Sequence, residues 1–188
     1  MMDEDLLIQR ILKGETELFS RVVAEHQSKV FHTALGLLHS QHDAEDIAQD
    51  VFLEAYRSLA TFRNDSKIAT WLYRITVNRS LNLLKKRKRS AFIQSFDQLF
   101  SKTAKDAEQI NDPTPTSQEA LEEVQKLDLL HTTVDTLPEN QRIAFTLSKY
   151  EELSYAEIAE VMHTTVSSVE SLIFRARKNV ISRIEKTK

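Results

Sequence analysis

Three carboxylates, Asp46, Asp50 and Glu54, recur every fourth residue. That spacing stacks them along one face of a helix. Like charges so placed weaken an isolated helix by a few tenths of a kcal/mol per pair. A stripe present despite that repulsion suits a basic partner surface; a solvated helix face is the plain alternative. A carboxylate metal site is a third account, and it needs inward-facing Glu or Glu-x-x-His pairs. No Glu-x-x-His or Asp-x-x-His pair occurs within residues 1–89. Asp128/His131 and Glu160/His163 have that spacing, but they fall in the other half, on separate expected helices. No metal and no cofactor is therefore expected.

A second constellation runs from Phe62 to Arg89. Trp71, Arg74, Asn78 and Asn82 share one helical face by steps of three and four. Amides can read base edges, arginines can hold phosphates, and an aromatic ring can stack on an unpaired base. Each has a plain alternative: Trp71 as core, and Lys85–Arg89 as a solvated helix end. Five consecutive cations argue for a polyanion. No nucleophile–base pair, Gly-rich phosphate loop or metal-ligand cluster points to an enzyme. The six histidines (26, 32, 39, 42, 131, 163) are scattered. His39 and His42 could meet, or be surface turn residues.

These groups need elements to position them, and the chain reads as all-α. It has 188 residues with 2 Gly and 3 Pro, too few for a sheet protein with many tight turns. Zero Cys excludes a disulfide scaffold and a cysteine nucleophile. Gly14 separates a short helix holding Leu6, Leu7, Ile11 and Leu12 from one over Glu15–Leu38. The latter carries a stripe of Leu18, Val22, Val30, Ala34 and Leu38. Ser40–His42 reads as a turn. Asp43 is the expected N-cap of a helix to about Leu59, with Ile47, Val51 and Ala55 inward. After the polar loop Phe62–Lys67, Thr70 is the expected cap of a helix over Trp71–Arg89.

Periodicity fades over 90–117, which holds Pro113 and Pro115. This stretch reads as a flexible linker, with a short helical patch near Phe96–Phe100. Helical spacing returns at Leu121, Val124, Leu127, Leu130 and Val134. Thr136-Leu-Pro-Glu139 and Ser154-Tyr-Ala-Glu157 both have capping-box spacing. The second opens a helix over Tyr155–Met162. A break at His163–Thr165 leads to a helix carrying Val169, Ile173, Ala176 and Val180. Two helices joined by so short a turn, the second with a basic tail, read as a helix-turn-helix or a structural hairpin. The expected organisation is two small helical domains, 1–89 and 118–188, around the 90–117 linker.

The net charge of −3 hides blocks. Residues 1–60 carry 5 basic and 11 acidic side chains, and residues 61–90 carry 9 and 1. Residues 91–136 carry 3 and 9, and the remainder 8 and 7. Binding to a polyanion follows the local field, so the basic blocks keep nucleic acid open as a partner. The acidic start is wrong for an export signal, and no apolar run is long enough to span a bilayer. A cytoplasmic protein without membrane insertion is expected.

At this point the residues carry a resemblance. An acidic helix, then Phe62-Arg-Asn-Asp-Ser66, then Thr70-Trp-Leu-Tyr-Arg-Ile-Thr-Val-Asn78 resembles region 2 of bacterial sigma factors. Leu137-Pro-Glu, then Leu153-Ser-Tyr-Ala-Glu-Ile-Ala-Glu-Val-Met162, then Val169-Glu-Ser-Leu-Ile-Phe-Arg-Ala-Arg177 resembles their region 4. The order and the short chain resemble the extracytoplasmic-function (ECF) group of the sigma-70 family. The likeness covers about 5–89 and 120–182.

The resemblance implies a subunit that directs RNA polymerase core to promoters, not an enzyme. Asp46, Gln49, Asp50 and Phe52 would grip the clamp of the largest polymerase subunit, with the flap region as a second contact. The loop Asn64, Asp65, Ser66 and Lys67 would capture an unstacked base of the minus-ten element. Trp71, Arg74, Asn78 and Arg79 would complete that surface. Ser167, Ser168, Glu170, Ser171, Phe174, Arg175 and Arg177 would face the minus-thirty-five duplex. An anti-sigma factor is a further partner the resemblance allows. Glu170 stands where Lys or Arg is usual, and its carboxylate can accept from a cytosine amino group. Leu172 stands where Arg is common, and Asn64 where Gly is. Lys67-Ile-Ala69 also departs from the pattern. Two rivals are a helix-turn-helix regulator with a helical sensory domain, and a helical interaction protein. The Trp71–Asn78 face disfavours the first, and the basic run 74–89 the second.

Overall fold

The computed structural model describes residues 3–62, 65–100 and 129–187, with side chains described as far as Ala91 in the second stretch. Helices α1 (Glu4–Leu12), α2 (Phe19–Leu38), α3 (Gln41–Ser58) and α4 (Ile68–Phe100) form the first unit. Residues 129–135 are helical, and α5 (Glu139–Tyr150), α6 (Tyr155–Val161) and α7 (Val166–Thr187) complete the second. The described residues contain no strand, so the fold is all-α. No described helix is long and apolar enough to cross a membrane.

The expected apolar stripes of the first unit are buried apart from half-buried Leu18. Val22, Val30, Ala34 and Leu38 of α2 meet Ile47, Val51 and Ala55 of α3 and Leu72 and Ile75 of α4. Fully buried Leu59 and Leu72 each contribute about 1.5–3 kcal/mol of transfer free energy. In α1 the inward residues are Ile8 and Ile11, while Leu6 and Leu12 face out. Gly14 follows α1 at φ +109°, a backbone state L side chains rarely adopt. A 3-10 turn over Thr16–Leu18 then leads into α2.

The helix ends correct several expectations. Ser40, not Asp43, caps α3, and its Oγ accepts the Asp43 N–H at 3.4 Å. Thr70 is a buried residue inside α4, which begins at Ile68. The Ile68 N–H is taken instead by the Glu4 carboxylate, at 2.6 Å. Thr136 forms no capping box; its hydroxyl donates to the Thr133 carbonyl at 2.6 Å, and Pro138 occupies the N-cap of α5. The Ser154 capping box does form.

Helix α4 continues to Phe100, so residues 90–100, assigned above to the linker, are helical. No Gly or Pro interrupts Ser90–Phe100, which leaves a helix nothing to stop it. The rest of the expected linker, 101–117, and Leu121, Val124 and Leu127 of the expected second domain lie outside the described residues.

The two units are not separate globules. Leu37, Tyr73, Val77 and Leu81 of the first share one buried cluster with Ile143, Leu147, Ile158, Val169 and Ile173 of the second.

Candidate polymerase and nucleic-acid interfaces

Asp46, Gln49 and Asp50 lie exposed on α3, because Ile47, Val51 and Ala55 take its inner face. Phe52 is half-buried and lines an apolar groove with Phe19, Val23, Leu53 and Tyr56. Leu53 and Tyr56 are 53% and 43% exposed, and sequence reasoning missed them. Their signal was apolar character off the buried stripe.

The carboxylate stripe has partners inside the chain. Arg79 Nε donates to Glu54 Oε2 at 2.5 Å, and its Nη1 lies 3.4 Å from Asp50 Oδ2. Asp46 lies 3.7 Å from the His42 ring, so His42 pairs there and not with His39. Arg87 Nη2 reaches Asp43 Oδ1 at 2.5 Å. Burial alone would raise the Asp43 carboxyl, but the Ser40 hydroxyl and Arg87 hold it below its usual value.

Helix α4 brings Trp71, Arg74, Asn78 and Asn82 onto one wall of a cleft of about 550 Å³. Arg79 lines it as well, and the second unit supplies Glu139, Asn140, Ile143, Met162 and His163. Asn78 and Asn82 are exposed. Trp71 is half-buried against the Phe62 ring, centroids 5.1 Å apart. Its ring is therefore partly core. Asp65 and Lys67 are exposed and Ser66 is half-buried, while Asn64 lies outside the described residues.

On α7, Val169, Ile173, Ala176 and Val180 point inward. That leaves Ser167, Glu170, Ser171, Phe174, Arg175 and Arg177 exposed. Phe174 is 68% exposed, an unusual display for a large apolar ring. Ser168 is half-buried, and its N–H is accepted by Thr165 Oγ1 at 3.2 Å, fixing the first turn. Leu172 packs on the shared cluster, which explains an apolar residue there.

Three further features emerge only from the packing of the folded chain. The His39 and His131 rings stack across the units, centroids 4.2 Å apart at 16°. His39 Nε2 lies 3.5 Å from Asp135 Oδ1, and burial lowers its pKa. Glu151 meets the Tyr73 hydroxyl at 3.4 Å, and burial pushes its carboxyl up to about 7. Gly36 is the point where α2 touches α5. Among the described residues no group of three or more His, Asp or Glu could hold a metal.

Comparison with known proteins matches residues 22–90 to Sigma-70 region 2 and residues 127–180 to Sigma-70, region 4. The RNA polymerase sigma-H factor of Pseudomonas aeruginosa is 37% identical over 179 residues, 93% of this chain and 90% of that protein. The ECF RNA polymerase sigma-E factor of Escherichia coli is 32% identical over 185 residues, 98% and 95% respectively. In fold, the chain resembles CnrH in complex with the cytosolic domain of CnrY, with a TM-score of 0.69 at 21% identity, covering 98% and 99% of the two chains. It also resembles the sigma factor RpoE with the anti-sigma factor NepR from Bartonella quintana, with a TM-score of 0.62 at 21% identity and coverage of 89% and 96%.

Proposed function

The chain belongs to the ECF group of the sigma-70 family, whose members bind RNA polymerase and direct promoter-specific initiation, and from that we propose how its own residues divide the work. The α3 surface of Asp46, Gln49, Asp50 and Phe52, widened by Leu53 and Tyr56, docks on the clamp of the largest polymerase subunit. The second unit meets the flap region. Helix α7 enters the major groove at the minus-thirty-five element, presenting Ser167, Ser168, Glu170, Ser171, Phe174, Arg175 and Arg177.

The α4 wall then holds the melted minus-ten strand. Asn78 reads a base edge, with Trp71, Arg74 and Arg79 beside it. Asp65, Ser66 and Lys67, with Asn64, receive an unstacked base. Unstacking costs a few kcal/mol, which these contacts must offset. No step requires a catalytic side chain. The observation that supports this reading best is the joint match, in chain order, of region 2 and region 4, each with an exposed polar helix face. The protein works where polymerase and chromosome are, in the cytoplasm. An anti-sigma factor is a fitting regulator, since one structural relative is seen with such a partner.

The test is run-off transcription with core polymerase on genomic fragments, mapping start sites. Discrete starts sharing two upstream elements are expected. Absence of specific initiation would overturn the proposal.

A further inference from the structure

The outer side of α7 carries charges of both signs. Arg175 and Arg177 are exposed cations, suited to phosphate or to guanine. Glu170 is exposed on the same helix, away from the buried Val169, Ile173 and Ala176. It shares an open hollow of about 440 Å³ with Ser171, Phe174 and Arg175.

The helix does nothing to neutralise this carboxylate. The residues three and four positions from Glu170 are Ser167, Val166, Ile173 and Phe174, none of them a cation. Among the described residues it has no hydrogen-bond or ion-pair partner. Other surface carboxylates of the chain are paired. Asp50 and Glu54 meet Arg79, Asp43 meets Arg87, and Glu139 meets Lys85.

An unpaired carboxylate on a helix that approaches DNA is repelled by every phosphate. Ionised, it can only accept hydrogen bonds. In the major groove, cytosine alone offers a donor with no acceptor beside it, the N4 amino group. Adenine sets its N6 amino group next to the N7 acceptor. Guanine and thymine present acceptors there, which a carboxylate repels. Glu170 therefore weakens binding to all sequences and is offset where its oxygens meet cytosine. A repulsive element of that kind produces specificity as effectively as an attractive one.

We propose that Glu170 fixes one position of the minus-thirty-five duplex as cytosine, by accepting a hydrogen bond from its N4 amino group. The proposal rests on α7 being the helix that enters the major groove.

The test is selection of duplexes by polymerase core carrying the full chain. The duplex library is randomised over the minus-thirty-five element, and base frequencies are read position by position. The parent chain should prefer cytosine at one position by about tenfold or more. Glu170→Gln should move that preference to adenine, because an amide pairs with N6 and N7 together. Glu170→Arg should move it to guanine, and Glu170→Ala should abolish it. The other positions should keep their bases in all three variants. Circular dichroism checks that the helices remain.

An enriched element that is the same for parent and variants would overturn the proposal. Glu170 would then be a solvated carboxylate whose removal only raises affinity for every sequence alike. A parent preference for another base at the position the variants change would also overturn it. If the parent enriches no sequence, the major-groove reading of α7 fails and the proposal falls with it.

Discussion

Arg79 on α4 and Glu54 on α3 are joined at 2.5 Å, with Asp50 on the other side of the same guanidinium at 3.4 Å. The acidic stripe that suggested an outside basic partner thus already holds one inside. The proposed docking of polymerase on Asp50 must compete with or tolerate that pairing.

Asp50→Arg tests this. The new cation repels Arg79 and any basic partner surface. Association with core polymerase should fall at least tenfold in a binding assay. Asp50 and Arg79 are both well exposed, so the thermal midpoint should fall by the equivalent of about 1 kcal/mol at most. Undiminished association would remove Asp50 from the docking surface.

Asn78→Ala removes an exposed amide with no core role. Closed-complex formation should stay within about twofold of the parent protein. Strand opening, followed by permanganate reactivity of unpaired thymines, should fall by about 1–3 kcal/mol in equivalent terms. Equal losses in both assays would make Asn78 a general backbone contact.

Phe174→Ala and Arg175→Ala separate apolar base contact from phosphate contact. Both side chains are exposed, so neither change should move the melting temperature measurably. Arg175→Ala should weaken minus-thirty-five duplex binding. If binding falls uniformly across sequences and the salt slope drops by about one, Arg175 is a phosphate contact. Phe174→Ala should change sequence preference with the salt slope intact.

Glu151 predicts a pH dependence. Its carboxyl titrates near 7 in the folded chain, raised from 4.5 by burial against α2 and α4. Groups facing it include Lys29, His32, Thr33 and Tyr73. Because the folded value is raised, the stability tied to the protonated form is full below about 4.5 and lost as pH rises through about 7. Glu151→Gln should therefore raise the melting midpoint at pH 8 and change it little at pH 5. His39 runs the opposite way, since burial lowers its pKa and acid weakens its packing. The difference between variant and parent isolates Glu151. A gain no larger at pH 8 than at pH 5 would refute the assignment.

Much of the fold was legible because it rests on local periodicity. The stripes through Val30 and Ala34, Val51 and Ala55, and Val169 and Ile173 are all buried where spacing put them. The Ser154 capping box was legible for the same reason. The Glu4 cap on Ile68 was not, since its partners lie 64 residues apart. The clustering of Trp71, Arg74, Asn78 and Asn82 along one wall followed from helical steps. What faces that wall did not, because Glu160, Glu139 and His163 arrive from the other unit. Gly36 did leave a trace, as one of two glycines in the chain and inside a strong helical pattern. Only the contact with Thr146 gives that trace a meaning.

The run Lys85–Arg89 lies well inside α4, not at its end. Consecutive helical residues are turned by about 100°, so five of them encircle the axis completely. The cations therefore ring a rod about 50 Å long, but Lys85 and Arg87 pair with Glu139 and Asp43, leaving Lys86, Lys88 and Arg89 exposed on the remaining side. Such exposed cations attract a polyanion at long range before its orientation is set. Their reach is about 10 Å at 0.1 M salt, so the capture rate should respond to ionic strength more steeply than the final register does. Under the proposed function, arrival and alignment on DNA fall to different parts of one helix.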